Sequence, residues 1–237
     1  MTSSIVILVL LVALVPIVLF FGALGEQKRR EAMERLATEQ GLAFKPDGDF
    51  VPKVLAHFEL FQRGRGRMAS NVLEDVSDAQ AFWVFDYKFT VGGGRNRRTH
   101  RQTVVAFPYL DVNLPAFTVR REHLFHKLGT IFGYQDIDFP EHPSFSTRHL
   151  VRGKDERAVR SLFDGHLICA VDAIDHVCIE GAGSCLLVFR DGKTIKPEKV
   201  MEFVGQAQAL CDAFVGRADE LGWKQKHSAE PASVYDG

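Results

Sequence analysis

The fold class of this 237-residue chain is decided by residues 83–91, which read WVFDYKFTV. Large apolar side chains alternate there with smaller or polar ones, and a period of two residues is typical of a β-strand with one buried face. A glycine- and arginine-rich segment, GGGRNRR, follows at residues 92–98, and a second strand-like run covers residues 101–107. The pattern predicts a long β-hairpin with arginines at its tip.

Further strand-like runs lie on both sides of this hairpin in the sequence. Residues 68–75 are expected to pair with its first strand, and residues 117–120 add another strand. Residues 177–180 and 185–190 predict a second hairpin, with a Gly-Ala-Gly turn between them. The middle of the chain is therefore predicted to be rich in antiparallel β-structure.

Helical periodicity is strongest in the last third of the chain. Residues 155–163 and 166–174 predict two helices that Gly165 separates. Pro197 then begins an amphipathic helix with a continuous apolar face. The face consists of Val200, Phe203, Val204, Ala207, Cys211, Phe214, Ala218 and Leu221. Strands followed by helices, without strict alternation, predict the α+β class.

The start of the chain is strongly apolar. Residues Ile5–Leu24 carry no charge, and sixteen of these twenty residues are Ile, Leu, Val or Phe. Twenty helical residues rise about 30 Å, the hydrocarbon thickness of a bilayer. The segment is predicted to be a transmembrane helix and to make the lipid bilayer a partner of the chain. A cleaved signal peptide is the alternative, but the run is long and no basic residue precedes it.

The predicted fold class is thus α+β, with one N-terminal transmembrane helix and then a single mixed domain. That domain has an antiparallel β-rich middle and a long C-terminal amphipathic helix. The predicted segments are an anchor at 1–25, a charged juxtamembrane helix at 26–41, the α+β domain at 42–222 and a polar tail at 223–237. The helix at 26–41 is expected either to form a stalk or to dock loosely on the domain.

The charges flanking the apolar segment predict the orientation of the chain. Lys28, Arg29, Arg30 and Arg35 follow the segment directly, and cytoplasmic flanks hold the excess of Lys and Arg. This places the N-terminus outside and the domain in the cytoplasm. Four cysteines without metal or disulfide-framework spacing are interpreted as buried, reduced thiols, which agrees with a reducing compartment.

The middle of the chain is the basic part. The net charge is −1, but residues 63–127 carry 11 basic and 6 acidic side chains, whereas residues 128–237 carry 12 and 17. A nearly neutral chain exerts no overall attraction on nucleic acid, so no nucleic acid partner is expected. Guanidinium groups suit phosphate, and the candidate anion site consists of seven arginines. They are Arg63, Arg65, Arg67, Arg95, Arg97, Arg98 and Arg101. A solvated hairpin tip is the alternative interpretation.

Other chemistry-bearing residues lack the pattern that their chemistry needs. His123 and His126 lie three residues apart but have no readable third metal ligand. The acidic run at residues 136–142 lacks the glycine spacing of a calcium loop. His166 and Cys169 belong to no catalytic frame such as G-x-S-x-G. The sequence therefore predicts no catalytic residue, no metal and no cofactor.

The order of these features resembles a family of uncharacterised bacterial membrane-anchored proteins that carry a domain of unknown function. The resemblance is carried by the hairpin runs VFDY at 84–87 and RRTHRQTVV at 97–105, by DFPEHPSF at 138–145, and by the late strand pair before the closing helix. It covers residues 26–215 and brings no catalytic residues. It implies a bacterial inner-membrane location with a cytoplasmic domain.

Two functional hypotheses follow from the sequence. The first is a single-pass membrane protein with a non-catalytic binding or scaffold domain, whose basic hairpin faces an anionic lipid headgroup or an acidic protein partner. The second is a membrane-bound enzyme, such as a hydrolase, with a site assembled from distant His, Asp and Cys residues. A shallow basic face would favour the first, and a deep pocket that gathers those side chains would favour the second.

Overall fold

A computed structural model describes residues 22–75, 81–121 and 135–225. Within these ranges, nine strands form one antiparallel sheet in the order β1-β2-β3-β4-β9-β8-β5-β7-β6. The strands are β1 (Ala43–Asp47), β2 (Arg65–Asp75), β3 (Phe82–Val91), β4 (Arg98–Phe107), β5 (Leu114–Arg121), β6 (Gln135–Asp136), β7 (His149–Gly153), β8 (Cys178–Gly183) and β9 (Cys185–Phe189).

Helices cover both faces of this sheet. They are α1 (residues 22–40), α2 (Val51–Val54), α3 (Glu59–Gln62), α4 (Pro143–Arg148), α5 (Glu156–Leu162), α6 (Gly165–Asp172) and α7 (Val200–Glu220). Short 3₁₀ turns at Gly94–Asn96 and Pro197–Lys199 complete the described elements. The α5–α6 pair and the long α7 confirm the helices that the periodicity predicts.

Both predicted hairpins are confirmed. β3 and β4 pair without a break from Trp83 opposite Ala106 to Val91 opposite Arg98, and β2 pairs with the free edge of β3. β8 and β9 form the second hairpin. β5 lies away from the first hairpin, between β8 and β7. The two hairpins meet where β4 pairs with β9, which joins them into one sheet.

Alternation along the strands gives the sheet two apolar faces. Val84 and Val105 belong to the cluster that packs under α1, α5, α6 and α7, which we call the helix face. Phe85 and Val104, their neighbours in sequence, belong to the cluster under α2 and α3, which we call the cap face. Successive strand residues point to opposite faces, so the period-two pattern of β3 serves both layers.

On the helix face, aromatic rings hold α7 to the sheet. Phe214 of α7 stacks on Phe117 of β5 with the ring centroids 5.2 Å apart, and it meets Phe163 edge-on at 5.7 Å. Phe117 in turn lies over Gly181, where an added Cβ would come within 2.3 Å of the ring. Gly181 therefore leaves the space that lets Phe117 reach α7.

The N-terminal helix docks on the domain. Met33 and Ala37 are buried in the helix-face core, and Arg29 forms an ion pair with Asp86 of β3 at 2.6 Å. The narrow apolar stripe of this helix and the Arg29–Asp86 ion pair therefore dock the helix together. Residues 22–40 thus pack as part of the sheet domain.

The predicted fold class requires a correction in its first element. No helix among the described residues is long and apolar enough to cross a membrane. Of the predicted span Ile5–Leu24, residues 5–21 lie outside the described residues, and residues 22–24 belong to α1, which carries charged side chains from Glu26 onward. In the residues that it describes, the structure shows an α+β domain with the β-rich middle and the C-terminal helix, and no membrane-spanning helix.

The thiols differ in accessibility. The predicted burial is confirmed for Cys178, Cys185 and Cys211, whereas it is wrong for Cys169, which is exposed on α6. Burial raises the pKa of Cys185 to about 12 and also raises the pKa of Cys211. We expect a maleimide to modify one thiol, Cys169, in the native chain, because the thiolate is the reactive form. Mass spectrometry with and without denaturant measures this, and rapid modification of two or more native thiols would contradict it.

Candidate functional site

The turn between β3 and β4 presents exposed arginines. Gly92 has a φ of +72°, and a Cβ there would lie 2.4 Å from the Asn96 carbonyl oxygen, so this position needs glycine. The resulting turn leaves Arg95, Arg97 and Arg98 exposed to solvent. The glycine-rich sequence therefore builds a tight turn whose projecting side chains are cationic.

Cross-strand register adds further residues to this end of the sheet. Met68, Lys88 and Arg101 lie opposite one another on β2, β3 and β4, so they form one row on the helix face. Arg65 lies in the next row toward the turn, opposite Thr90. Met68 is 40% exposed, which places an apolar side chain among the cations. We call the six cationic residues of this region the basic end. They are Arg65, Lys88, Arg95, Arg97, Arg98 and Arg101.

Helix α1 begins at the basic end. Its Glu26 accepts a 2.7 Å hydrogen bond from Arg101, which lowers the pKa of that carboxyl, while Arg29 reaches Asp86 further along β3. As the residue numbers rise along α1, the contacted positions on β3 and β4 move away from the turn. The start of α1 therefore lies beside the arginines.

The structure separates the three arginines of the RGRGR run. Arg65 belongs to the basic end. Arg63 is only 2% exposed and forms ion pairs with Glu59 at 3.0 Å and Asp191 at 3.6 Å. Arg67 donates to the backbone carbonyl oxygens of residues 62, 63 and 64 at 2.9 to 3.2 Å, where α3 ends. Two of the seven candidate arginines thus have structural contacts away from the basic end.

Arg63 is part of a buried ionic cluster on the cap face. Arg120 of β5 pairs with Glu180 of β8 and lies 3.4 Å from Glu59. Glu180 also accepts hydrogen bonds from the backbone N–H of Leu60, at 3.1 Å to each oxygen. Burial raises the pKa of Glu180, and the attraction of Arg120 offsets only part of the rise. The cluster fastens α3 to two central strands.

A groove lies where β9 leads into α7. It has a volume of about 520 Å³. Its lining carries four cations, Arg190, Lys193, Lys196 and Lys199, and one carboxylate, Glu202. Lys199 and Glu202 pair at 2.7 Å. Sequence reasoning missed this groove, although lysines spaced three residues apart before a helix were a signal that could have found it.

The remaining metal and catalytic candidates do not gather into a site in the described part of the chain. His123 and His126 lie outside the described residues. Asp136 pairs with Arg152 at 2.5 Å. Within the described ranges, no group of three or more His, Cys, Asp or Glu side chains could hold a metal ion.

Comparison with known proteins finds a similar fold but no similar sequence. No protein family matches the chain, and no curated protein does. Among solved structures, the chain is similar to the crystal structure of the mycobacterial trehalose monomycolate transport factor A, TtfA, with a TM-score of 0.56 and 14% identity. The similarity covers 81% of this chain and 94% of that one. At this identity the likeness shows a shared fold, and the resemblance to membrane-anchored bacterial proteins stays a prediction.

Proposed function

We propose that this protein is a non-catalytic binding module that takes part in lipid transport at a membrane surface, with its basic end against anionic headgroups. The cytoplasmic side of a bacterial membrane is the setting that the sequence suggests for it. The observation that carries the proposal is the basic end itself. Cations from three adjacent strands converge there, beside the exposed Met68 and the start of α1.

The chemistry of the basic end suits a lipid surface. Arginine forks bind phosphate oxygens in pairs, and an exposed thioether among them suits the boundary between headgroups and acyl chains. Each basic residue near an anionic leaflet contributes roughly a fivefold gain in binding. The three arginines at the tip of the β3–β4 hairpin, Arg95, Arg97 and Arg98, together therefore give a gain in binding on the order of a hundredfold.

The shared fold supports the link to lipid transport. The similar structure is that of a protein named as a trehalose monomycolate transport factor. For this chain, the likeness supports a transport role without a chemical step.

One contact bears on the enzyme hypothesis, the one between His149 and Asp172. Nδ1 of His149 lies 3.4 Å from Oδ1 of Asp172, which is an arrangement that catalytic dyads use. His149 is only 5% exposed, however, and its ring stacks on Phe145 with the centroids 4.8 Å apart. Burial lowers its pKa. These contacts favour a core histidine, which leaves the binding module as the better supported function.

The test follows hydrogen exchange at the tip. The full chain is mixed with nanodiscs of phosphatidylcholine alone or with added phosphatidylglycerol, and amide exchange of residues 92–98 is measured by mass spectrometry. We expect slower exchange with the anionic lipid and a return to the faster rate in high salt, because exposed ionic contacts are screened over about 8 Å at physiological ionic strength.

Two matched variants distinguish an effect of the three turn arginines from an effect of the overall charge. Replacing Arg95, Arg97 and Arg98 with serine should abolish the lipid-dependent protection. Replacing three exposed cations elsewhere, Lys53, Lys154 and Arg157, removes the same charge and should leave it intact. Equal exchange of residues 92–98 in both kinds of nanodisc, or equal effects of the two variants, would refute the proposal.

A further inference from the structure

The groove beside α7 is strongly cationic for its size. Three lysines and one arginine line it, and its one carboxylate, Glu202, is already paired with Lys199. Lys193 and Lys196 are exposed, and neither forms an ion pair within the described residues. Like charges gathered around a concave surface repel one another, and an anion bound between them would relieve that repulsion.

One side of the groove is held in a fixed conformation. The Arg190 guanidinium lies over the Phe203 ring at 5.1 Å and donates from Nη2 to Gln206 Oε1 at 3.2 Å. Nε of the same guanidinium is buried and has no hydrogen-bond partner in the described part of the chain. Phe203 is itself 2% exposed, so the ring cannot shift easily. A cation oriented in advance loses little side-chain entropy when it binds a ligand.

The groove lies beside β4 and α1, two elements that extend from the basic end. The Thr103 backbone N–H of β4 donates to the Lys193 carbonyl oxygen at 3.1 Å, and Arg29 of α1 donates to the Ile195 carbonyl oxygen at 2.8 Å. The segment that carries the lysines therefore runs beside β4 and touches α1. A ligand in the groove would therefore lie beside β4, the strand that also carries Arg98 and Arg101 of the basic end.

We propose that this groove binds the phosphate group of a small phosphate-bearing ligand, such as the headgroup of an anionic lipid. Lysine ammonium groups bind phosphate as point charges, and Arg190 supplies a guanidinium beside them. The volume of about 520 Å³ falls within the range of small-molecule sites. The assignment of the ligand to a lipid rests on the proposed function, whereas phosphate binding by the groove does not depend on the basic end.

The experiment titrates the full chain, in detergent micelles, with glycerol 3-phosphate and separately with inorganic phosphate, by isothermal titration calorimetry. Saturable binding that weakens with added salt is expected. Replacing Lys193 and Lys196 with serine should weaken binding about tenfold, since each lysine contributes a charge-assisted contact. The control variant replaces the exposed lysines Lys53 and Lys154 with serine and should bind like the wild type.

The two probes distinguish the sources of the phosphate. Tighter binding of glycerol 3-phosphate assigns the groove to a headgroup, and equal binding assigns it to free phosphate; both outcomes support the site. No saturable binding of either probe, or equal affinity of the two double-lysine variants, would overturn it. The variant with Arg95, Arg97 and Arg98 changed to serine should keep its phosphate affinity, so failure at the tip and failure in the groove can be told apart.

Discussion

Replacing Arg120 with methionine is expected to lower the free energy of unfolding by about 3–5 kcal/mol, the usual cost of leaving a buried charge without its partner. Arg120 is 5% exposed and Glu180 is 1% exposed, so water cannot take over the role of the guanidinium. The variant keeps the apolar stem and removes the charge. Urea unfolding followed by circular dichroism measures the loss.

The neighbouring residue in β5 provides the control. Arg121 is about a quarter exposed and lies 3.9 Å from the exposed Asp175, so its replacement by methionine should cost less than about 1 kcal/mol. Similar losses for the two variants would show that the buried cluster does not stabilise the fold.

The loss in the Arg120 variant should depend on pH. Burial already raises the pKa of Glu180 in the folded chain, and removing Arg120 takes away the attraction that partly offsets this rise. A carboxyl with a raised folded pKa binds protons more readily in the folded than in the unfolded state, so stability is regained as the pH falls through that pKa. The deficit relative to the wild type should therefore shrink between pH 7 and pH 5. A deficit that grows over this range would show that Glu180 is not the charge left unpaired.

The hairpins and α7 could be predicted because their signals are local. In β3 the alternation occupies consecutive residues, and in α7 the apolar face repeats within a few turns. The glycine-rich composition at residues 92–94 also predicts the turn. Local patterns of this kind specify which element forms. The predicted ends of these elements lie within a few residues of the observed ends.

The sheet order and the ionic cluster could not be predicted in the same way. Arg120 and Glu180 are 60 residues apart, and their contact depends on the pairing of β5 with β8. The sequence of neither strand indicates which strand it pairs with. Glu180 did carry one signal, because it is a carboxylate at an inward position of an otherwise apolar strand, and such a group requires a partner. The ion pair of Arg63 with Asp191 could not be predicted for the same reason, since the two residues are far apart in sequence.

The docking contact of Arg29 could not be predicted from the sequence either. Its place directly after the apolar segment favoured a role as a flanking charge for a membrane span. In the structure, its guanidinium donates to both carboxylate oxygens of Asp86 at 2.6 and 2.7 Å and to the Ile195 carbonyl oxygen. A charge that flanks an apolar run and a charge that docks a helix look identical in sequence, and only the position of Asp86 in the fold tells them apart.

Replacing Arg29 with methionine is accordingly expected to cost about 2–3 kcal/mol, in the range of a hydrogen-bonded charge contact that is mostly withdrawn from water. The Arg29 and Asp86 side chains are 20% and 15% exposed. The loss should be concentrated in α1, because this helix adds few apolar side chains to the helix-face core, chiefly Met33, Leu36 and Ala37. Hydrogen exchange of residues 26–40 in the full chain should therefore increase more than exchange of β3.

Arg35 is the matched control on the same helix. It is exposed and donates to the carbonyl oxygen of Glu31 within α1, so its replacement by methionine should leave exchange of residues 26–40 nearly unchanged. If α1 is released by the Arg29 change, the start of the helix is no longer held beside the arginines of the basic end. Lipid-dependent protection of residues 92–98 should then weaken even though every tip arginine is present. Full protection of the tip in the Arg29 variant, with α1 released, would show that the basic end binds lipid without the docked helix.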